Sequence, residues 1–453
     1  MLGLLCLALW SACSGPSALD GPNAGRSVSY EPGVPSFDLE AIPTVRDGQP
    51  GVDVYTSIPR ASLVFTTTDS TFVARYDLAL RIRDEQGRET EWFSSFRDTL
   101  SAPTAEAARS FDRVWQAERI PLAPGTYVVE GVLEDGESGE EAVRRQRVEV
   151  FARDGVPRLS RPLVLADAVW GEPAAPVVAL HTPARRDSLQ TQVEVYDAPA
   201  GSALALRILR LRADTTVALP PFWLAPPRGS LTYRGVDDEA ADTVATERVR
   251  LAGMESVTFD LPALPMGLYR LDFQLLAPDG TTLARQRRAL SVKGAAFPQL
   301  ATLAELVDAL DYIAYPREME LIASGTTPSE RRRRFDAFWG GLVSDRRVAS
   351  NLLRQYYERV EEANLLFTSY KLGWKTDRGM LYVIYGAPDY VEVTFEGEVW
   401  HYGYDPENPA TSFIFERVDE AGDGFGHYVL VRQPLYEQAW TRAIDRWRRG
   451  EAL

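Results

Sequence analysis

The chain has 453 residues, 45% of them hydrophobic and 25% charged, a composition of folded protein with room for about three domains. A net charge of −15 and a pI near 4.9 supply no basic footprint for phosphates, which argues against a nucleic-acid partner. Both cysteines (Cys6 and Cys13) fall in the first thirteen residues and the three histidines (His181, His401, His427) are scattered, so no disulfide, thiol nucleophile, metal site or cofactor is expected in the body.

Residues 1–12, MLGLLCLALWSA, form an uncharged apolar run that stops at Cys13. The run is short of the ~20 residues of a membrane span and suits the core of a signal peptide. Ser11 and Ala12 before Cys13 resemble a lipobox, in which the cysteine is lipidated and becomes the mature N-terminus, although Trp10 stands where that pattern prefers Leu. More than one acyl chain on Cys13 would anchor the protein stably, and Ser14 resembles the sorting signal for the outer membrane. Residues 13–40 are rich in Gly, Pro, Ser and Asn and read as a flexible tether.

From 41 to 155 the pattern is strand-like. Tyr76, Leu78, Leu80 and Ile82 alternate with Arg75, Asp77, Arg81 and Arg83, the signature of a sheet with one buried face. A string with proline, glycine and tyrosine at Pro124, Gly125 and Tyr127 returns at Pro265, Gly267 and Tyr269, and each copy is followed by an Arg/Gln-rich strand. This string resembles the start of a late strand in immunoglobulin-like and fibronectin-like sandwiches, where the tyrosine hydroxyl ties the strand to nearby backbone. Two tandem sandwiches, 41–155 and 156–295, are therefore expected, acting either as a binding surface or as a spacer that holds the last unit away from the membrane. The acidic group Asp237, Asp238, Glu239 and Asp242 lacks the spacing of a calcium loop and reads as a solvated turn. His181 reads as a loop residue, and Ser230 and Ser256 have no nucleophile elbow around them.

Composition changes near residue 300, and residues 296–453 read as an α+β unit of helices followed by a small antiparallel sheet. Leu303, Leu306, Val307 and Leu310 have helical spacing. Thr327, Pro328 and Glu330 spell a helix start, opening a stripe of Phe335, Phe338, Trp339 and Leu342. A third helix carries Leu352, Tyr356, Val360, Ala363 and Phe367. Arg331, Arg332, Arg333 and Arg334 read as a solvated face paired with nearby acids. Then come Gly373, Trp374, Thr376, Asp377, Arg378 and Gly379, an apolar run at 380–385 read as a strand, the turn Gly386, Pro388 and Asp389, and a strand with Glu398, Trp400 and Tyr402. Glycines 422, 424 and 426 read as a hairpin turn, and Tyr436, Trp440, Ile444 and Trp447 as a helix that packs back on the unit.

From about 297 to 434 the chain resembles the GWxTD domain family of bacterial envelope proteins, named for residues that stand here as Gly373, Trp374, Thr376 and Asp377. The resemblance implies a compartment and no mechanism. In physical terms the motif reads as architecture: glycines free in backbone angle, Thr376 and Asp377 as turn formers, Trp374 and Trp400 as apolar anchors. The same residues, from Gly373 through Asp389 to Trp400, are the candidate binding site. The expected role is a non-catalytic binding or scaffold module, lipid-anchored in the envelope and facing the periplasm, with another envelope protein as partner. The alternatives are a hydrolase using Asp377 and Asp389 as an acid/base pair beside Arg378 and His401, and a glycan-binding lipoprotein.

Overall fold

A computed structural model of the chain describes residues 30–166, 175–178, 181–183, 189–253, 256–394, 396–403, 408–418 and 425–451. Cys6, Cys13 and glycines 422 and 424 lie outside these. Among the described residues no helix is long and apolar enough to cross a membrane.

The first sandwich contains β1 (Asp38–Arg46), β2 (Gln49–Pro59), β3 (Thr66–Thr68), β4 (Thr71–Asp84), β5 (Glu89–Ala102), β6 (Arg113–Pro121), β7 (Gly125–Asp135) and β8 (Glu141–Val150). Strands β1, β2 and β6 form one sheet, and β4, β5, β7 and β8 the other, with β3 as a short addition to β4. The alternation in β4 sets its inner face: Tyr76, Leu78, Leu80 and Ile82 are all at most 1% exposed. They pack with Phe37, Leu39, Val52, Val129 and Leu133 in one core. Strand β1 opens inside the segment read as tether, because Phe37 and Leu39 complete that core.

The second sandwich repeats the wiring. It comprises β9 (Arg158–Leu159), β10 (Leu163–Ala166), β11 (Ala175–Pro176), β12 (His181–Pro183), β13 (Leu189–Tyr196), β14 (Ala203–Ala213), β15 (Val236–Arg250), β16 (Ser256–Leu261), β17 (Gly267–Leu276) and β18 (Thr282–Lys293). Strands β10, β13 and β16 share one sheet; β14, β15, β17 and β18 share the other, extended by β12 running parallel to β18. In both copies the first, second and fifth long strands face the other four, as in a fibronectin-like sandwich. The recurring tyrosines start equivalent strands and do the same work. The Tyr127 hydroxyl donates to the Ala123 carbonyl at 3.1 Å, and that of Tyr269 to Pro265 at 2.7 Å. His181 sits in β12 rather than a loop. Asp237 lies at an irregularity of β15, where its carboxylate accepts the Glu239 and Ala240 N–H groups. Ser230 caps the short helix α2 (Leu231–Arg234), and Ser256 opens β16; a similar short helix, α1 (Ala105–Ala108), lies between β5 and β6.

The third unit begins with α3 (Leu303–Asp308), α4 (Pro316–Ala323), α5 (Pro328–Leu342) and α6 (Arg346–Phe367). Thr327 caps α5 by accepting the Glu330 N–H, and the expected stripes of α5 and α6 are buried. Arg332 pairs with Asp336 and Arg334 with Glu330 along α5. The chain then forms α7 (Asp377–Tyr385), the antiparallel strands β19 (Tyr390–Val393), β20 (Gly397–His401), β21 (Ser412–Val418) and β22 (His427–Leu430), and α8 (Glu437–Arg449). Strands β21 and β22 are paired antiparallel; glycines 422 and 424, read as the turn between them, lie outside the described residues. Trp440 and Trp447 of α8 and the preceding Tyr436 are buried, and Ile444 packs with them.

The expected strand at 380–385 is instead α7. A six-residue apolar run fits a buried helix as well as a buried strand, and here the local cap decides. Thr376 accepts the Gly379 N–H at 3.0 Å, and Asp377 places a carboxylate in the first turn. Residues 377–384 are buried throughout because α6, β22 and α8 all pack around the helix.

Candidate functional site

The motif lies in the turn between α6 and α7, where backbones meet almost without side chains between them. A Cβ on Gly373 would stand 1.9 Å from the Ala363 carbonyl oxygen, and one on Gly379 1.9 Å from that of Gly373. Neither glycine has positive φ. They are required for close approach, not for the conformational freedom expected from sequence. The Gly373 N–H donates to the Thr368 hydroxyl at 2.8 Å, and the Thr376 hydroxyl donates to the Gly373 carbonyl at 2.7 Å. Trp374 is 1% exposed, edge-on to Tyr312, whose hydroxyl donates to the Trp374 carbonyl at 2.7 Å. Of the motif's turn formers, Thr376 is therefore a helix cap.

Asp377 is the acidic end of a buried ion pair. Its carboxylate lies 2.6 Å from the Arg432 guanidinium and accepts the Leu430 N–H at 2.8 Å. Burial pushes its carboxyl up, but the Arg432 charge and these hydrogen bonds outweigh that and hold it below the ordinary value. Arg378, the next residue, lies about 100° round the helix. It pairs with Glu398 at 3.2 Å and lies 4.0 Å above the Tyr428 ring. Glu398 is fully buried and also accepts the Trp400 indole N–H at 2.9 Å and the Tyr30 backbone N–H at 3.2 Å. The Tyr30 ring completes the nest against Phe367, Tyr382 and Trp400.

A second layer of charge joins this turn to the second sandwich. Lys371 lies 3.4 Å from Asp214 and donates to the Thr216 carbonyl at 3.1 Å. Lys293, at the end of β18, donates to the Ser369 and Tyr370 carbonyls at 3.0 and 3.2 Å, and burial lowers its amine to about 7. The Tyr370 hydroxyl meets His427 Nε2 at 3.2 Å; burial first, then the Lys371 charge, lowers that imidazole to about 3, so it is neutral. Residues 214–235, which join β14 to β15, cross onto the third unit. Arg432 donates to the Leu219 carbonyl, and the Gln433 N–H to that of Pro221. Arg228 pairs with Glu416. The two sandwiches are locked similarly by Arg288, 2.6 Å from the buried Glu40.

At the far end of α7, Gly386 takes φ +88° and ends the helix, Pro388 is buried, and Asp389 is exposed. Asp389 bonds the Gly403 N–H. This turn joins a helix to a strand, not two strands. Asp377 and Asp389 thus flank a nine-residue helix whose rise of ~1.5 Å per residue keeps them apart. His401 stacks on Tyr390 at 4.3 Å, bonds Ser412 and accepts the Asp389 N–H on its carbonyl at 2.9 Å, so it belongs to the Asp389 end of the helix and not to that of Asp377. The structure therefore does not gather the four groups of the hydrolase reading into one cleft, and of the motif residues only Asp389 meets solvent. Among the described residues no group of three or more His, Cys, Asp or Glu could hold a metal.

Arg432, Asp214 and Tyr30 carried no signal in the sequence. Glu398 did, since it shares a strand face with Trp400. So did the lysines. The chain has only Lys293, Lys371 and Lys375 among 49 basic residues, which reads at first as genome composition. All three surround the motif: Lys293 is buried against two carbonyls, Lys371 against a carbonyl and the Asp214 carboxylate, and Lys375 stands 5.1 Å above the Trp374 ring. A compact ammonium fits converging carbonyls where a planar guanidinium does not.

Residues 275–449 match the family model of the GWxTD domain. The match begins at the end of β17, so it takes in the strand that carries Lys293. No curated protein matches the chain in sequence. Among solved structures, red sea bream transglutaminase is 11% identical at a TM-score of 0.17, aligned over 60% of this chain and 32% of its own. An α-2-macroglobulin from Escherichia coli is 12% identical at a TM-score of 0.19 over 57% of this chain and 17% of its own. A Salmonella α-2-macroglobulin mutant is 14% identical at 0.19, over 58% and 17%. The chain spans less than a third of the length of these proteins, and likenesses this distant carry no argument.

Proposed function

From the premise that this chain carries a GWxTD domain, we propose that it is an exported envelope protein, lipid-anchored at Cys13 in the outer membrane and facing the periplasm. Its role is that of a non-catalytic scaffold for another envelope protein. One observation carries the scaffold reading: the Trp374 ring is packed against Tyr312, and the side chains of Thr376, Asp377, Arg378 and Trp400 are spent on hydrogen bonds and ion pairs within the third unit. A motif so used supports presentation of a surface rather than turnover of a substrate. The surface it presents is the clasp of residues 214–235, where Leu224 is 92% and Trp223 52% exposed. Exposed Leu435 and Ile414 lie on the segments against which the clasp packs.

Radiolabelled palmitate in cells, followed by crosslinking from membranes, tests both halves. Wild type should take up label and Cys13→Ser should not; absence of label on wild type sinks the anchoring claim. Leu224→Asp with Trp223→Glu, surface changes that spare the core, should lose a defined crosslinked envelope protein that wild type retains. An unchanged crosslinking pattern would reject the clasp as the recognition surface.

A further inference from the structure

We propose that the cleft where the three units meet is a binding site for a neutral oligosaccharide. The cleft holds about 810 Å³, within the ~300–1,000 Å³ usual for small-ligand sites. Each unit builds one wall: residues 104–113 and Trp115 from the first sandwich, residues 176–178 and Thr182 from the second, and residues 296–299 on the way to α3.

Three features select the ligand class. Trp115 projects from β6 and is 40% exposed, a flat apolar face of the size that stacks on the C–H face of a pyranose ring. The charges in the wall are mixed in sign: Glu106 and Asp112 stand with Arg109 and Arg113, and Arg113 is committed to Asp38 and Ser57. An anion would meet both carboxylates and a cation the Arg109 guanidinium, so a polar ligand without net charge is favoured. Arg109 is 78% exposed and, among the described residues, has one ion pair, a 3.7 Å contact with Glu358. Planar carboxylate, guanidinium and amide groups, here Asp112, Arg109 and Gln299, suit paired hydroxyls on adjacent carbons. Finally, Thr104, Ser110 and Gln299 add uncharged polar groups to the wall, the kind that exchange hydrogen bonds with sugar hydroxyls.

Isothermal titration of the full chain against chitotetraose, cellotetraose and maltotetraose, with tetragalacturonate as the charged control, tests the site. At least one neutral tetrasaccharide should bind, and Trp115→Ala should weaken it tenfold or more. Arg109→Ala combined with Asp112→Asn should do the same, while Phe93→Ala, at an exposed position of β5 outside the cleft, should leave affinity within twofold. Thermal melts would confirm that each variant is folded; Trp115 and Arg109 are surface-exposed, so truncation leaves the cores intact. The proposal is overturned if no neutral saccharide binds at millimolar concentration, if only tetragalacturonate binds, or if binding survives Trp115→Ala. A loss of crosslinking in the clasp variants leaves this site untouched, so the two claims fail separately.

Discussion

The two sandwiches share a wiring diagram and differ sharply in the connection between their third and fourth long strands. In the first, residues 85–88 join β4 to β5 in a tight turn whose Asp84 and Arg88 pair in open solvent. In the second, residues 214–235 join the equivalent strands β14 and β15 and run across the third unit, supplying Asp214 to Lys371 and the Leu219 carbonyl to Arg432. The same connection thus serves once as a solvated turn and once as half of a joint. Sheet topology tolerates either choice, because long surface connections cost little loop entropy. What distinguishes the joint is where charge is buried.

That contrast is open to direct attack. Arg432→Ala would leave the Asp377 carboxylate buried without its cation and free the clasp from its carbonyl contact, a loss of roughly 3–5 kcal/mol. Arg88→Ala in the first sandwich should leave denaturant midpoints unchanged within error, since that pair is solvated. Parallel guanidinium titrations would show it, and equal midpoints would remove the distinction between the two connections.

Acid should open the joint before it harms the first sandwich. His427 stays neutral in the folded protein down to about pH 3, whereas in the unfolded chain it gains a proton near 6.5. With its folded value lowered, the unfolded state binds more protons between these limits. Stability is therefore retained above pH 6.5 and lost as pH falls, by about 3 kcal/mol between pH 7 and pH 4. His427→Gln should flatten that slope by close to one proton. A slope identical to wild type would show that the imidazole is not buried neutral.

The finest discrimination lies between the two tyrosines. Tyr269 is wholly buried and Tyr127 is not, so Tyr269→Phe should cost about 1–2 kcal/mol and Tyr127→Phe only a few tenths. Equal costs would mean that the two strand starts are tied equally despite their different surroundings.

Legibility in the sequence followed the range of the interaction. Strand alternation, the helix stripes of α5 and α6 and the repeated tyrosine string are local, and the fold class follows from them. The helix α7 was present in the sequence too, as Thr376 and Asp377 ahead of an apolar run, but the same letters spell a turn before a strand. What was not legible is the pairing of Asp377 with Arg432 and of Lys371 with Asp214. Nothing in spacing over 55 or 157 residues specifies a partner. The motif's conspicuous residues consequently suggested a recognition surface, when burial makes them the inside of a joint.

Tyr30 gives the molecule a mechanical property. Its ring packs beside Trp400 in the third unit and its N–H bonds Glu398, 368 residues further along, although the chain from Asp38 onward builds the first sandwich. Were Cys13 held in a bilayer, the 16 intervening residues could reach at most about 60 Å, so the two sandwiches could not act as a stalk that lifts the third unit away. Tension on the N-terminus would be borne first by an aromatic plug and a buried carboxylate in the last unit, and only after that plug had slipped would any strand of the first sandwich feel the load.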